Sequence, residues 1–179
     1  MTTIAITSTH IAADGLTTAN EERLRADTKK IVVRRADVKR AARIIAMAGS
    51  GAMRDAVVDW FEAGADPKNV PPLGKSGTFT LIIIDVGPGG SPRMRYLSDD
   101  LPYMTELALP QAFGSGSCYA MGALKHGATA REAVAIAASL DVSTGGEIQE
   151  IDIHKALGLV DKPVHANGNG VHAGANAPY

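Results

Sequence analysis

Thr2, Asp14 and Lys30 are the residues whose types and spacing point most directly to chemistry. Removal of Met1, which methionine aminopeptidases carry out before small residues, would leave a threonine with both a hydroxyl and a free α-amine. Such a residue holds nucleophile and base together, because the amine can take the hydroxyl proton. An α-amine titrates near ~7.7–8.0, close to a working pH. Asp14 ends a hairpin that starts at Thr2, and so can return beside the N-terminus. Lys30 follows sixteen residues later, at the start of the next strand. A buried lysine cation next to Thr2 would lower the hydroxyl pKa and discourage protonation of the amine, and Asp14 would hold that lysine charged and in place. Taken singly, a threonine at position 2 is common, Asp14 is an ordinary turn residue and Lys30 an ordinary surface charge.

The elements that must position these residues follow from pattern. Residues 2–13, rich in Thr and Ile with a polar break at Ser8 and Thr9, predict a strand hairpin, closed by the Asp14-Gly15 turn signal. Residues 16–28 are polar and read as a loop or irregular segment. Strands are expected at 30–34, through Ile31, Val32 and Val33, and at 43–48, running into Gly49-Ser50-Gly51. A helix follows at about 52–63, where Val57, Trp60 and Phe61 share a face. The Pro- and Gly-rich stretch 64–77 reads as a loop, 78–86 as a strongly β-prone strand, and 93–98 as its partner across the turn at 87–92. After Gly114-Ser115-Gly116-Ser117 the pattern is helical to about Lys125, where Gly127 stops it. Thr129 and Glu132 form a capping box for a second, alanine-rich helix to about Leu140, apolar nearly all round. Residues 147–153 give a last strand. The stretch 154–179, rich in Gly, Ala, Asn and His without a period, reads as a flexible tail behind a single domain at 1–153. This order of elements suits two mainly antiparallel sheets with helices outside.

Composition sets limits. The chain has 179 residues, 45% of them hydrophobic, enough for one domain with a substantial core. A net charge of −1 provides no global field for nucleic acid or a membrane surface. Residues 21–43 nevertheless hold nine Lys/Arg against four Asp/Glu, which reads as a solvated edge or as a basic patch for an acidic partner. Cys118 is the single cysteine, so no intramolecular disulfide forms, which fits a reducing cytoplasm. The N-terminus lacks the basic region and long apolar core of a signal peptide, and the aliphatic run Leu81–Ile84 is too short to span a bilayer. His154, His165 and His172 match no zinc spacing, and Gly87-Pro88-Gly89-Gly90 lacks the following helix of a phosphate loop. No metal or cofactor is expected.

Thr2-Thr3-Ile4, Asp14-Gly15, Lys30, Ala48-Gly49, Gly114-Ser115-Gly116 and Asp141-Val142-Ser143-Thr144-Gly145-Gly146 occur in an order and at spacings that resemble the proteasome β-subunit/HslV family of N-terminal-nucleophile hydrolases, including the homologue described from β-proteobacteria. The resemblance covers residues 2–153. It implies an α+β fold, a four-layer αββα sandwich of two mainly antiparallel sheets. One helical layer would be thinned, because a short Pro/Gly loop stands where the family has a second helix before the strand at 78–86. Residues 35–42 look like an insertion in a strand turn.

The resemblance also assigns roles. Thr2 would be the nucleophile and its amine the base, with Lys30 and Asp14 as the activating pair. Ser115 and Asp141 would bind the amine and its relay water, supported by Thr144. The Gly49 N–H would form the oxyanion hole, where one preorganised donor is worth on the order of 3 kcal/mol. Met47 would form the base of the primary specificity pocket and favour cleavage after apolar residues, with Thr18 and Gly51 also binding substrate.

The implied activity is that of a self-compartmentalising threonine endopeptidase acting on unfolded proteins or peptides. It would form a homo-oligomeric double ring of about 12 or 14 subunits. An ATP-dependent unfoldase is an implied partner whose docking the missing helix puts in question. Two other readings remain open on the same superfold: a ring-forming scaffold with a silent site, and a small-molecule amidase.

Overall fold

The computed structural model describes residues 2–19, 22–38, 40–49, 54–64, 69, 71, 79–98 and 104–159. The N-terminal hairpin pairs β1 (Thr3–Ile6) with β2 (His10–Ala13), and the sheet is completed by β10 (Gln111–Gly114) beside β1 and β11 (Gln149–Asp152) beside β2. A second, five-stranded sheet runs in the order β5 (Ile31–Arg34), β6 (Arg43–Gly49), β7 (Phe79–Val86), β8 (Pro92–Ser98), β9 (Thr105–Glu106). Every pairing is antiparallel. Helices α1 (Arg54–Glu62), α2 (Ser117–Lys125), α3 (Ala130–Leu140) and the short α4 (Ile153–Ala156) complete an α+β fold.

Strand alternation sorts the core into three clusters. Ile4, Ile6, Ile11 and Ala13 of the first sheet meet Ile31, Ile44, Ala46, Ala48, Ile82 and Ile84 of the second. Burying each such isoleucine contributes about 1.5–3 kcal/mol relative to exposure. The intervening residues face outward. Ala5, Ala12 and Ala112 receive α2 and α3, and their small side chains allow close approach to Ala120, Ala133, Val134 and Ala137. On the other side, Ile45, Met47, Leu81 and Ile83 receive Val57 and Val58 of α1. A shift of one residue in β1 or β6 would exchange these faces.

The structure corrects several expectations. Residues 16–28 are not a loop: β3 (Thr17–Ala19) and β4 (Glu22–Arg25) form a two-stranded hairpin with a register shift between Thr17 and Thr18. The four residues of β4 are all exposed, so no alternation marked it as a strand. The helix after Thr129 has its capping box, but it is not apolar all round in its packing. Ala130, Ala133, Val134 and Ala137 form one buried stripe, while Ile136 and Leu140 are exposed. The expected tail boundary at 153/154 falls inside α4, whose N-terminus is capped by the Asp152 carboxylate and whose Ile153, with Leu157 just beyond, is buried. His154 therefore belongs to the packed body. The Pro/Gly stretch at 64–77 lies almost wholly outside the described residues, as do 160–179 with His165 and His172.

Candidate active site

The edge of the first sheet fixes the position of Thr2. Thr3 pairs with Gly114 across β1 and β10, and the Ser115 N–H donates to the Thr2 carbonyl at 3.0 Å. Gly114 adopts φ +95°, and a Cβ there would overlap the Thr2 carbonyl, so the first glycine of Gly-Ser-Gly serves this close approach. From the far end of the hairpin, the Asp14 N–H donates to the Thr3 carbonyl at 3.2 Å.

The Asp14 carboxylate is fully buried and saturated. Its Oδ1 accepts from the Thr3 N–H at 2.8 Å and from Lys30 Nζ at 2.8 Å. Its Oδ2 accepts from the Leu16 N–H at 3.2 Å and the Gly145 N–H at 3.1 Å. Lys30 Nζ also donates to the Leu16 carbonyl at 2.7 Å. Burial lowers the pKa of Lys30, and the charge and hydrogen bond of Asp14 oppose that shift without cancelling it.

Lys30 is also held through its backbone, by a residue that sequence reasoning missed. Gln149 Oε1 accepts from the N–H groups of both Lys30 and Ile31 at 3.0 Å, and Gln149 Nε2 donates to the Ile31 carbonyl at 2.7 Å. Gln149 lies on β11, so this amide ties the first sheet to the first strand of the second. A single polar residue on a strand carries no sequence signal for such a link.

Asp141, Thr144 and Ser115 approach from the side of Thr3. Thr144 Oγ1 donates to Asp141 Oδ2 at 2.6 Å and stands 2.6 Å from Thr3 Oγ1. A hydroxyl carries one proton. Since that of Thr144 goes to the carboxylate, Thr3 must donate to Thr144, while the Gly116 N–H donates to Thr3 Oγ1 at 3.0 Å. The chain Gly116–Thr3–Thr144–Asp141 thus has one direction. Burial raises the pKa of Asp141, but the nearby Ser115 hydroxyl and the hydrogen bonds from Thr144 and the Ser143 N–H outweigh it and hold the carboxyl low. Ser115 Oγ is buried near enough to contribute, although it makes no well-aligned hydrogen bond. Thr3, wholly buried, was not singled out from the sequence; the doubled threonine at 2–3 was the available signal.

A cleft of about 240 Å³ opens at Thr2, and Lys30, Met47, Gly49 and Thr18 line it. Gly49 has φ +125°, a conformation side chains rarely adopt. Thr17, Thr28, Arg25 and Arg54 also line the cleft and were not anticipated as site residues. Gly51 lies outside the described residues. Asp14 sits behind Lys30, and Asp141, Thr144 and Ser115 are not among the lining residues. Among the described residues no group of three or more His, Cys, Asp or Glu side chains gathers as a metal site would require.

No protein-family model matches the chain, and no curated protein matches it. Its fold is similar to two solved structures of BPH, a bacterial proteasome homologue, from Thiobacillus denitrificans. The complex with epoxomicin has a TM-score of 0.58 and 20% identity, covering 85% of this chain and 98% of that one. BPH without it has a TM-score of 0.57 and 19% identity, covering 85% and 97%. The chain therefore has a proteasome-like α+β fold. Across almost the full length of those structures the likeness is one of architecture.

Proposed function

We propose that the chain is a threonine endopeptidase of the proteasome-like kind, with Thr2 as nucleophile after Met1 is removed. The observation that carries this reading is the buried Lys30–Asp14 ion pair, whose lysine shares one cleft with Thr2. A buried cation there favours alkoxide character at the threonine hydroxyl and disfavours a second positive charge on the amine. The three clusters of the core support a four-layer αββα reading of the fold, with α2 and α3 on one face and α1 on the other.

In this mechanism the Thr2 amine takes the hydroxyl proton as Oγ1 attacks the substrate carbonyl. The developing oxyanion is met by the Gly49 N–H. The tetrahedral intermediate collapses to an ester at Thr2, and the protonated amine passes its proton to the departing amine of the substrate. Water, deprotonated by the same amine, then cleaves the ester and restores the hydroxyl. Asp141 and Thr144 steady the terminus through the hydroxyl chain that runs from Thr3 to the Asp141 carboxylate, and Ser115 and Asp141 bind the Thr2 amine and its relay water. Thr18, Met47 and Gly51 contact the substrate. Assembly into a double ring encloses the sites, and an unfoldase delivers polypeptide to them.

The solved BPH complex carries epoxomicin, and a peptide epoxyketone is the matching probe for this chain. Protein isolated from its native host should show the mass of the chain without Met1, and one inhibitor equivalent on the peptide beginning at Thr2. Full retention of Met1, or no adduct, overturns the reading. Turnover of short peptide amides without any cleavage of unfolded protein would instead favour an amidase.

A further inference from the structure

The cleft at Thr2 carries more positive charge than Met47 alone implies. Arg25 from β4, Lys30 before β5 and Arg54 at the start of α1 all line it, and no carboxylate does among the described residues. The charge of Lys30 is matched from behind by Asp14. Among the described residues, those of Arg25 and Arg54 are matched by Asp27 and Asp55, which stand outside the lining and are 62% and 84% exposed. Arg25, 68% exposed, holds Asp27 by two hydrogen bonds, Nε to Oδ1 at 3.1 Å and Nη2 to Oδ2 at 3.3 Å, and Arg54 meets Asp55 through Nε at 3.0 Å; pairs this open to solvent are screened by water and salt. A ligand carboxylate within the cleft, where fewer waters screen it, competes well against them.

Arg54 is also anchored. It donates through Nη1 to the Lys29 carbonyl at 2.7 Å, and its side chain is 29% exposed, so less freedom is lost when it meets a ligand. Thr17 and Thr28, whose hydroxyls lie 2.7 Å apart, add polar wall between the charges. Met47 supplies apolar surface suited to the methylene part of a longer side chain. A volume of about 240 Å³ accommodates one amino-acid side chain and not a chain segment.

We propose that this cleft selects an acidic side chain, an aspartate or glutamate of a peptide, which Arg25 and Arg54 meet with charge-assisted hydrogen bonds. The inference rests on the reading that Thr2 acts on peptides, and it replaces the apolar preference expected from Met47 with an acidic one.

The test is calorimetric titration of the assembled protein with N-acetyl tripeptide amides that differ only in ending on glutamate or leucine. The glutamate peptide should bind at least about 10-fold more tightly, the advantage should shrink as salt is raised, and the R25Q/R54Q double variant should remove it. Equal or tighter binding of the leucine peptide overturns the proposal. So does an advantage that survives in the double variant, or no detectable binding of the glutamate peptide at millimolar concentration. Epoxyketones with the same two side chains separate this question from the activity. If the glutamate peptide binds selectively and neither epoxyketone labels Thr2, the protease reading fails and the cleft assignment stands. If the leucine compound labels Thr2 faster, the cleft assignment alone fails.

Discussion

Lys30 Nζ stands 2.8 Å from Asp14 Oδ1, with the aspartate fully buried and the lysine 5% exposed. The pair is asymmetric in its support. Asp14 keeps three backbone N–H donors, from Thr3, Leu16 and Gly145, when the lysine is removed. Lys30 would keep the Leu16 carbonyl but lose the carboxylate 2.8 Å away if Asp14 were removed.

Lys30→Ala should therefore fold while losing chemistry. Breaking a buried pair costs about 3–5 kcal/mol, and the remaining donors on Asp14 place this variant at the lower end. Labelling of Thr2 by a peptide epoxyketone should slow by about 100-fold or more, since the cation that favours the alkoxide is gone. Labelling at the wild-type rate in a folded K30A protein contradicts the assignment.

The depressed pKa of Lys30 sets an alkaline limit. As pH rises through that value the ammonium loses its proton, and labelling should fall at a pH below the ordinary lysine range. Stability moves the other way. Because the folded pKa lies below the unfolded value of about 10.4, the unfolded chain binds more protons in that window, and the contribution of Lys30 to stability rises with pH. Labelling rate and circular dichroism followed together should separate the two. Loss of labelling only in step with unfolding would contradict this origin.

Thr3→Val keeps the shape of a buried side chain and removes its hydroxyl. The Gly116 N–H then lacks its acceptor and Thr144 Oγ1 its donor. Leaving such groups unsatisfied should cost about 1–3 kcal/mol, read as a lower midpoint in denaturant, and Thr3→Ser should recover most of it. A midpoint unchanged in T3V would mean that the hydroxyl chain contributes nothing.

Tyr119, Ile136, Leu140 and Val142 leave apolar surface exposed on α2, on α3 and just beyond α3. In the proposed double ring this surface packs against another subunit. Sedimentation should report a closed assembly at micromolar concentration, and Ile136→Lys with Leu140→Lys should split it. A stable wild-type monomer would rule out the chamber.

The sequence alone determined the elements with strong local signals. The β1–β2 hairpin, β6 and β7 are written in alternating or continuous aliphatic residues, β8 follows from the turn at 87–92, and α3 from a Thr129–Glu132 capping box, because local propensity and tertiary packing agree there. It also singled out Asp14 and Lys30 as a pair, the aspartate holding the lysine, though not the backbone donors that saturate Asp14. The tertiary structure decided what depends on distant segments meeting. The β3–β4 hairpin is fully exposed on β4, so burial left no pattern to read. Gln149 reaches Lys30 and Ile31 across more than a hundred residues, and Thr3 reaches Thr144 across a similar span. Arg25 and Arg54 arrive at one cleft from a hairpin and a helix that no spacing relates. A side chain's type is local, but its partners and the field it contributes to are set by which surfaces fold against each other.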